Sequence, residues 1–373
     1  MKIIRFEVVG LFDRSIINAE LNSDLNILTG KNGAGKTTIL KLLWYVISGN
    51  ITNALAEIPF KKLTLVTDLY EITIHVINRN TCRIEFIQDG KQYEFEDLFD
   101  DENETITNAE DQVSSTLVGT GSSLFFPTFR RIEGGFTLGL RRAVPGLVSA
   151  RGARSDVEEA LLALSNKVSN GPHRFISAMS TGDIVNLVLR QYSDLSEQSN
   201  ELQQEMSQGI IQTIKDYKTD TLDGNNILAA ENVLDEIRSR IEKVDKAREK
   251  IMTPIDEVKK LVAKLFQHAG INLNNRMSFG EAANAINSDA LSAGEKQMLS
   301  FICYNAFYEN CIIFIDEPEL SLHVDWQRQL FPILQRQQSS NQFVIATHSP
   351  FIYSKYPDKE VAIDPNRGDQ GGE

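Results

Sequence analysis

Gly30-Lys31-Asn32-Gly33-Ala34-Gly35-Lys36-Thr37 satisfies the spacing G-x-x-x-x-G-K-[ST], with Thr38 extending the run. Glycines at these positions let successive backbone N–H groups curl around phosphate oxygens. A helix starting at the end of such a loop adds its partial positive charge. Lys36 would then reach the β and γ phosphates of a nucleotide, and Thr37 would offer a hydroxyl to Mg²⁺. A second acidic feature lies far along the chain, in "CIIFIDEPELSLH", where an apolar run ends in Asp316 and Glu317. If Ile312 to Ile315 form a central strand buried on both faces, Asp316 emerges at its carboxyl end beside the glycine loop. There it can hold Mg²⁺ directly or through water. Glu317, one residue further, points elsewhere and can polarise an attacking water as general base.

These residues need elements to hold them. "IIRFEVVGLF" and "LNILTG" read as strands, and the second runs straight into the glycine loop. After the loop, Ile39, Leu42, Leu43 and Val46 recur at helical spacing. Strand, glycine loop and helix form the context the motif requires. With 373 residues and 42% hydrophobic content, the chain can build one large domain or two smaller ones. A net charge of −13 argues against unspecific adhesion to nucleic acid or anionic membrane. Cys82, Cys303 and Cys311 lack C-x-x-C spacing, which fits buried thiols in a reducing compartment rather than a zinc site or disulfides. The short apolar run at the N-terminus and the absence of any run of about 18 apolar residues predict a cytoplasmic protein with no membrane contact.

Three further stretches carry a family resemblance. "LSAGEKQ", Leu291 to Gln297, precedes the acids and resembles the signature motif of ABC-type ATPases, with Ala293 in place of a glycine and Glu295 in place of a glutamine. "ELSLH", Glu319 to His323, stands where that family has a dimer-interface loop, although an ordinary surface role for His323 is an equal reading. "FVIATHSP" ends in Thr347-His348-Ser349, where the family has its switch histidine; a core or capping role for His348 is the plainer alternative. The resemblance implies that ATP and Mg²⁺ are the ligands, that Glu317 and His348 are catalytic, and that Ser292, Ala293, Gly294 and Glu295 cap the γ-phosphate of ATP held by a second subunit. It therefore implies a homodimer or higher even oligomer. The long interval from Thr37 to Leu291 exceeds what transporter ATPase subunits use. "DEPELSLH" and "ATHSP" match the SMC, RecF and OLD-like branch, above all the ATPases of bacterial anti-phage defence modules such as OLD, Septu, PARIS and retron systems. The fold class implied is α/β: a P-loop ABC-type ATPase head with a small antiparallel β subdomain and a helical hairpin insertion.

The interval between the motifs resembles the family only in layout. Residues 63 to 97 alternate apolar and polar with turns at Asn78-Arg79-Asn80 and Asp89-Gly90, as a small antiparallel subdomain would. Acidic "EDLFDDENETITNAEDQ" reads as a mobile loop. Arg130, Arg131, Arg141, Arg142, Arg151 and Arg154 gather with Glu133 as their one acid near where the family has its nucleotide-sensing loop. No glutamine takes that loop's usual place. Arg130, Arg131, Arg141 and Arg142 are thus candidates for sensing or for a partner surface. They could instead line a DNA or RNA groove with Phe125, Phe126 and Phe129 as stacking partners, or simply pair with the surplus acids. Residues 190 to 268 carry helical periodicity broken at Asp223-Gly224-Asn225, a hairpin that could be a packed lobe or a dimerising arm. The expected domains are 1–130, an N-terminal ATPase lobe with the β subdomain; 131–270, a mostly helical insertion; and 271–373, a C-terminal ATPase lobe. OLD-family nucleases carry a nuclease domain after these motifs, and the stretch after His348 is too short for one. A separate effector protein is therefore the expected partner. The competing functions are a RecF-like DNA-repair ATPase and, less favoured, a transporter motor subunit.

Overall fold

Strands of a parallel sheet covered on both faces read as nearly continuous apolar runs, whereas alternating strands leave one face to water. Both kinds occur here, and they form two different sheets. The computed structural model describes residues 1–12, 15–78, 81–99, 105–128, 131–132, 156–179, 181–220, 227–268, 292–337 and 339–363. The N-terminal part runs β1 (Ile3–Leu11), β2 (Ser15–Glu20), β3 (Leu25–Thr29), α1 (Lys36–Ile47), α2 (Ile51–Glu57), β4 (Lys62–Thr67), β5 (Glu71–Asn78), β6 (Thr81–Gln88) and β7 (Lys91–Phe95). Next come β8 (Leu98–Phe99), β9 (Thr105–Thr107), α3 (Ala109–Val118), β10 (Ser123–Phe126), β11 (Arg131–Ile132), α4 (Asp156–Val168), β12 (His173–Phe175) and β13 (Ala178–Met179). The remaining elements are α5 (Thr181–Asp220), α6 (Ile227–His268), α7 (Ala293–Phe307), β14 (Ile312–Asp316), α8 (Val324–Arg336), β15 (Gln342–Ala346), α9 (Pro350–Tyr353) and β16 (Glu360–Ala362).

The chain divides into two compact units, one of Met1–Ser180, Leu291–Phe301 and Tyr308–Glu373, the other of Thr181–Ala290 with Ile302–Phe307. In the first, a parallel sheet has the order β12-β10-β14-β15-β3-β16. β3, β14 and β15 are buried at every position; apolar residues dominate them, and the buried polar side chains of Asn26, Gln342 and Asp316 find hydrogen-bond partners. An antiparallel sheet, β2-β1-β4-β5-β6-β7, carries the alternating strands. Its β6–β7 turn places Asp89 and Gly90 both at positive φ, 51° and 74°, the geometry that favours an Asp-Gly pair. The buried amide of Gln342 links the sheets: its Oε1 accepts from Ile3 N at 2.7 Å and its Nε2 donates to Ile3 O at 2.8 Å. α1 lies on the parallel sheet. Its Trp44 ring sits 5.4 Å from Phe125 of β10 and 5.4 Å from Phe175 of β12, and those two rings stack at 5.5 Å. Such burial anchors the helix that follows the glycine loop.

The second unit contains α5 and α6 packed as a two-helix hairpin. Their 40 and 42 residues give arms of about 60 Å at about 1.5 Å per residue. Gly209 of α5 lets α6 approach, since a Cβ there would lie 2.9 Å from Arg240 Nη1. Arg240 also pairs with Glu236 at 2.7 Å, one turn away on its own helix. The connection at Asp223-Gly224-Asn225 lies outside the described residues. No described helix is long and apolar enough to cross a membrane.

One expectation changes in part. Of the acidic segment read as a mobile loop, residues 100–104 lie outside the described residues, and the flanking parts hold structure: β8 pairs with β9, and α3 begins at Ala109 with Glu110 and Asp111 in its first turn, where acids favour a helix N-terminus. Within the stretch expected to be mostly helical, residues 173–175 belong to the parallel sheet as β12.

One buried group makes this sheet sensitive to acid. His173 is fully buried with Nδ1 2.8 Å from Ser123 Oγ, and burial lowers its pKa from 6.5 to about 4. The unfolded chain therefore takes up the proton first, so stability is whole above about pH 6.5 and declines as pH falls towards about 4. Between about pH 7.5 and about pH 5 this amounts to about 2 kcal/mol. Urea unfolding of wild type and His173→Asn at both pH values should show the variant losing less stability on acidification by that amount, and identical pH slopes would disprove it.

Candidate functional site

The carboxyl ends of β3, β14 and β15 lie side by side, with Asp316 in register with Ala346 and Ala346 with Leu28. In a parallel sheet this edge is where loops converge and where ligands bind. Past Thr29 the chain turns through Gly30, Gly33 and Gly35 at φ 150°, 81° and 92°, with Gly35 as the N-cap of α1. Gly33 is open as well as left-handed, because a Cβ on it would meet nothing within 4 Å. Lys31, Asn32 and Gly33 are exposed and Ala34 and Gly35 half-buried, so the loop offers its backbone outward.

Lys36 is buried, and its Nζ donates to Gly30 O at 2.8 Å and Lys31 O at 3.2 Å. The same ammonium lies 3.5 Å from His348 Nδ1. Burial lowers the lysine's pKa, and the negative charges of Glu317, Asp316 and Glu319 oppose that shift. Burial likewise lowers the pKa of His348, and the Lys36 charge lowers it further against Glu319 and Asp316. The imidazole is therefore neutral near pH 7, and a Nδ1 facing the ammonium favours the tautomer with its proton on Nε2.

Thr37 donates from Oγ1 to Asp316 Oδ1 at 2.8 Å. The other oxygen of Asp316 accepts from the hydroxyl of Thr128. Asp316 is 1% exposed, so its charge depends on these partners. Glu317 follows in a left-handed conformation, φ 46°, with its N–H on Ala346 O at 2.8 Å. Adjacent acids thus stand on different backbones, one in the strand and one in a strained turn of the kind that gathers at functional sites. Thr37 and Asp316 are hard oxygen donors side by side where the glycine loop passes into α1. They suit Mg²⁺, which takes one or two protein oxygens together with phosphate and water.

The loop from Glu317 to Leu322 is tied on three sides. Gln297 of α7 donates from Nε2 to Pro318 O at 3.0 Å. Gly294 packs so closely that a Cβ would lie 2.4 Å from Ser321 O. Glu319 accepts from Thr347 Oγ1 at 2.8 Å and from His348 N at 2.7 Å. Ser292 and Glu295 form a reciprocal cap at the α7 N-terminus: Ser292 N reaches Glu295 Oε2 at 2.8 Å and Glu295 N reaches Ser292 Oγ at 3.3 Å. Ser292 and Ala293 are exposed there. His323 is the exposed N-cap of α8, which accounts for it structurally.

The structure thus brings Gly30 to Thr38, Asp316, Glu317 and His348 to one edge. Of the arginine candidates, Arg130, Arg141 and Arg142 lie outside the described residues, as does Phe129, and Arg131 enters only through the backbone of β11. Phe125 and Phe126 are 0% and 1% exposed core residues, so they cannot stack on nucleic-acid bases. Thr128 escaped the sequence reading. Its signal was a hydroxyl two residues past a buried apolar run, the place where a glutamine was sought. Glu319 and Gln327 were hidden in the same way, because only the fold sets them against Thr347, His348 and Ser349.

A family profile described as "AAA ATPase domain" matches residues 1–353. The chain belongs to this family. Among solved structures, it is similar to an SMC head bound to the C-terminal winged-helix domain of ScpA, with 11% identity and a TM-score of 0.38, covering 95% of this chain and 91% of that one. An SMC head with an extended coiled coil bound to the C-terminal domain of ScpA, from Pyrococcus furiosus, gives 12% and 0.34 over 95% and 91%. An SMC head with a coiled coil and joint from Pyrococcus yayanosii gives 11% and 0.37 over 95% and 93%. At such values the likenesses say nothing of activity or partners. No curated protein sequence matches significantly.

Within this AAA ATPase domain, the tight approach at Gly294 yields a direct test. Gly294→Ala forces the Ser321 carbonyl to move, and a displaced backbone typically lowers stability by about 1–3 kcal/mol. Thermal unfolding should show a clear drop for Gly294→Ala and none for Ala293→Gly beyond the small loss of an early helical residue. Equal behaviour of the two would mean that the loop does not sit against α7.

Proposed function

We propose that the chain binds ATP with Mg²⁺ at the loop between β3 and α1 and hydrolyses it slowly. The observation that carries this reading is the convergence of Lys36, Thr37, Asp316 and His348, from three separate segments, within hydrogen-bonding reach of one another. Lys36 holds the β and γ phosphates, exchanging its contacts with loop carbonyls for contacts with phosphate. Mg²⁺, when bound, would supply positive charge against the phosphates. Thr37 and Asp316 hold that cation, Glu317 orients and deprotonates water, and the neutral His348 donates from Nε2 to the terminal phosphate.

In this reading a second copy completes each site. In it, exposed Ser292 at the N-terminus of α7 exchanges the Glu295 carboxylate, which now takes both its N–H and its hydroxyl at 2.8 Å, for a phosphate of the other copy. ATP then joins two copies and hydrolysis releases them. The output is regulation of a separate effector in phage defence, and that part rests on the resemblance of "DEPELSLH" and "ATHSP". A nuclease or toxin gene beside this one would support it. Strong salt-dependent DNA binding would instead favour a repair ATPase.

Lys36→Ala should abolish ATP binding while leaving thermal unfolding close to wild type, as read by nucleotide titration calorimetry; retained micromolar affinity would remove the loop from the mechanism. Glu317→Gln keeps volume and polarity but removes the base, so hydrolysis should fall by about 100-fold or more while binding persists. Light scattering with and without ATP should then show a nucleotide-dependent dimer or larger assembly accumulating. Normal turnover in Glu317→Gln, or an assembly state indifferent to ATP, would refute the composite site.

A further inference from the structure

β15 ends its ladder at Ala346, and although Thr347 N still reaches Leu28 O at 3.4 Å, the amide of His348 must find its partner elsewhere. The partner is Glu319, three residues past the end of the neighbouring strand β14. Both of its carboxylate oxygens are spent on this one segment, Oε1 on His348 N at 2.7 Å and Oε2 on Thr347 Oγ1 at 2.8 Å. Bonds to an ionised acceptor are about twice as strong as neutral ones, and two from one carboxylate fix an orientation as well as a distance. Thr347 is buried, so its hydroxyl would lose its acceptor without gaining water if Glu319 were truncated. The contact also belongs to a closed ring. Ser349 N donates to Thr347 Oγ1 at 3.0 Å, Ser349 Oγ donates to Gln327 Oε1 at 2.6 Å, and Gln327 Nε2 returns to Leu322 O at 2.8 Å, in the same loop as Glu319.

We infer that Glu319 is a positioning residue for His348: its carboxylate fixes the His348 backbone so that the imidazole faces Lys36 and the terminal phosphate. This deepens the ATPase reading and rests on it. Glu319 acts through the residue it holds. Its negative charge adds a smaller effect in the same place, opposing the loss of protons from both Lys36 and His348.

The test compares steady-state hydrolysis by wild type, Glu319→Ala, Glu319→Gln, His348→Ala and the double variant Glu319→Ala with His348→Ala, each with its ATP affinity. Removing a phosphate-facing donor such as His348 should lower kcat by about 100-fold. Glu319→Ala should lower kcat comparably with KM within a few-fold of wild type, and the double variant should be no slower than His348→Ala. Glu319→Gln, which can still accept from His348 N, should recover most of the activity. Multiplicative losses in the double variant, or wild-type kcat in Glu319→Ala, would overturn the inference while leaving the ATPase reading intact. If Glu319→Ala does not fold, Thr347→Val replaces it in the same cycle and must show the same non-additivity. A wild-type chain that binds ATP but never hydrolyses it would overturn the ATPase reading itself, and this inference with it.

Discussion

The carboxylate of Asp316 is the point on which the site depends. A buried charge is tolerated only where its oxygens are matched, and here one oxygen is matched by Thr37 of α1 and the other by Thr128 after β10. Those two hydroxyls come from elements on either side of β14 in the structure, so the same bonds that satisfy the acid also set the spacing between the helix and the neighbouring strand's exit. Lys36 lies next to Thr37 and brings the compensating positive charge. The electrostatics of the edge therefore form one balanced group: a lysine with a lowered pKa, a neutral histidine and a cluster of acids that hold both.

Around that group the loop from Glu317 to Leu322 works as a junction. It touches α7 through Gln297 and Gly294, the exit of β15 through Glu319, and α8 through Gln327. Its two left-handed residues, Glu317 and Ser321, show how tightly the chain must bend to meet all three, since side chains other than glycine adopt that conformation at a penalty. A displacement at any one contact has few directions in which to relax, and the bends leave little slack to absorb it.

The glycine loop, the buried strands and the acid pair were legible in sequence because each announces itself locally. Left-handed turns favour glycine, a strand covered on both faces favours a mainly apolar run, and a carboxylate pair at the end of such a run stands out against it. The alternating strands of the antiparallel sheet and the two long helices followed from periodicity in the same way. What stayed hidden was pairing across distance. Nothing in the sequence near Thr128 says that its hydroxyl meets an acid on β14, and nothing near Glu319 says that it meets the residues after β15. Phe125 and Phe126 misled for the complementary reason: aromatic residues near arginines look the same whether they face solvent or, as here, a ring cluster with Trp44, Phe175 and Phe301. The acidic segment misled because charge density obscured the helix start at Ala109.

The strand order has a consequence for how the chain acquires its shape during synthesis. β3, which carries the glycine loop, has only β15 and β16 as neighbours in the parallel sheet, and these are residues 342–346 and 360–362. The glycine loop is synthesised long before these strands, and β3 has no seat in the parallel sheet until they arrive. Contacts at such sequence separation form slowly because loop closure must be achieved first. The edge that carries the glycine loop is therefore assembled late, as the sheet closes on β3 from both sides.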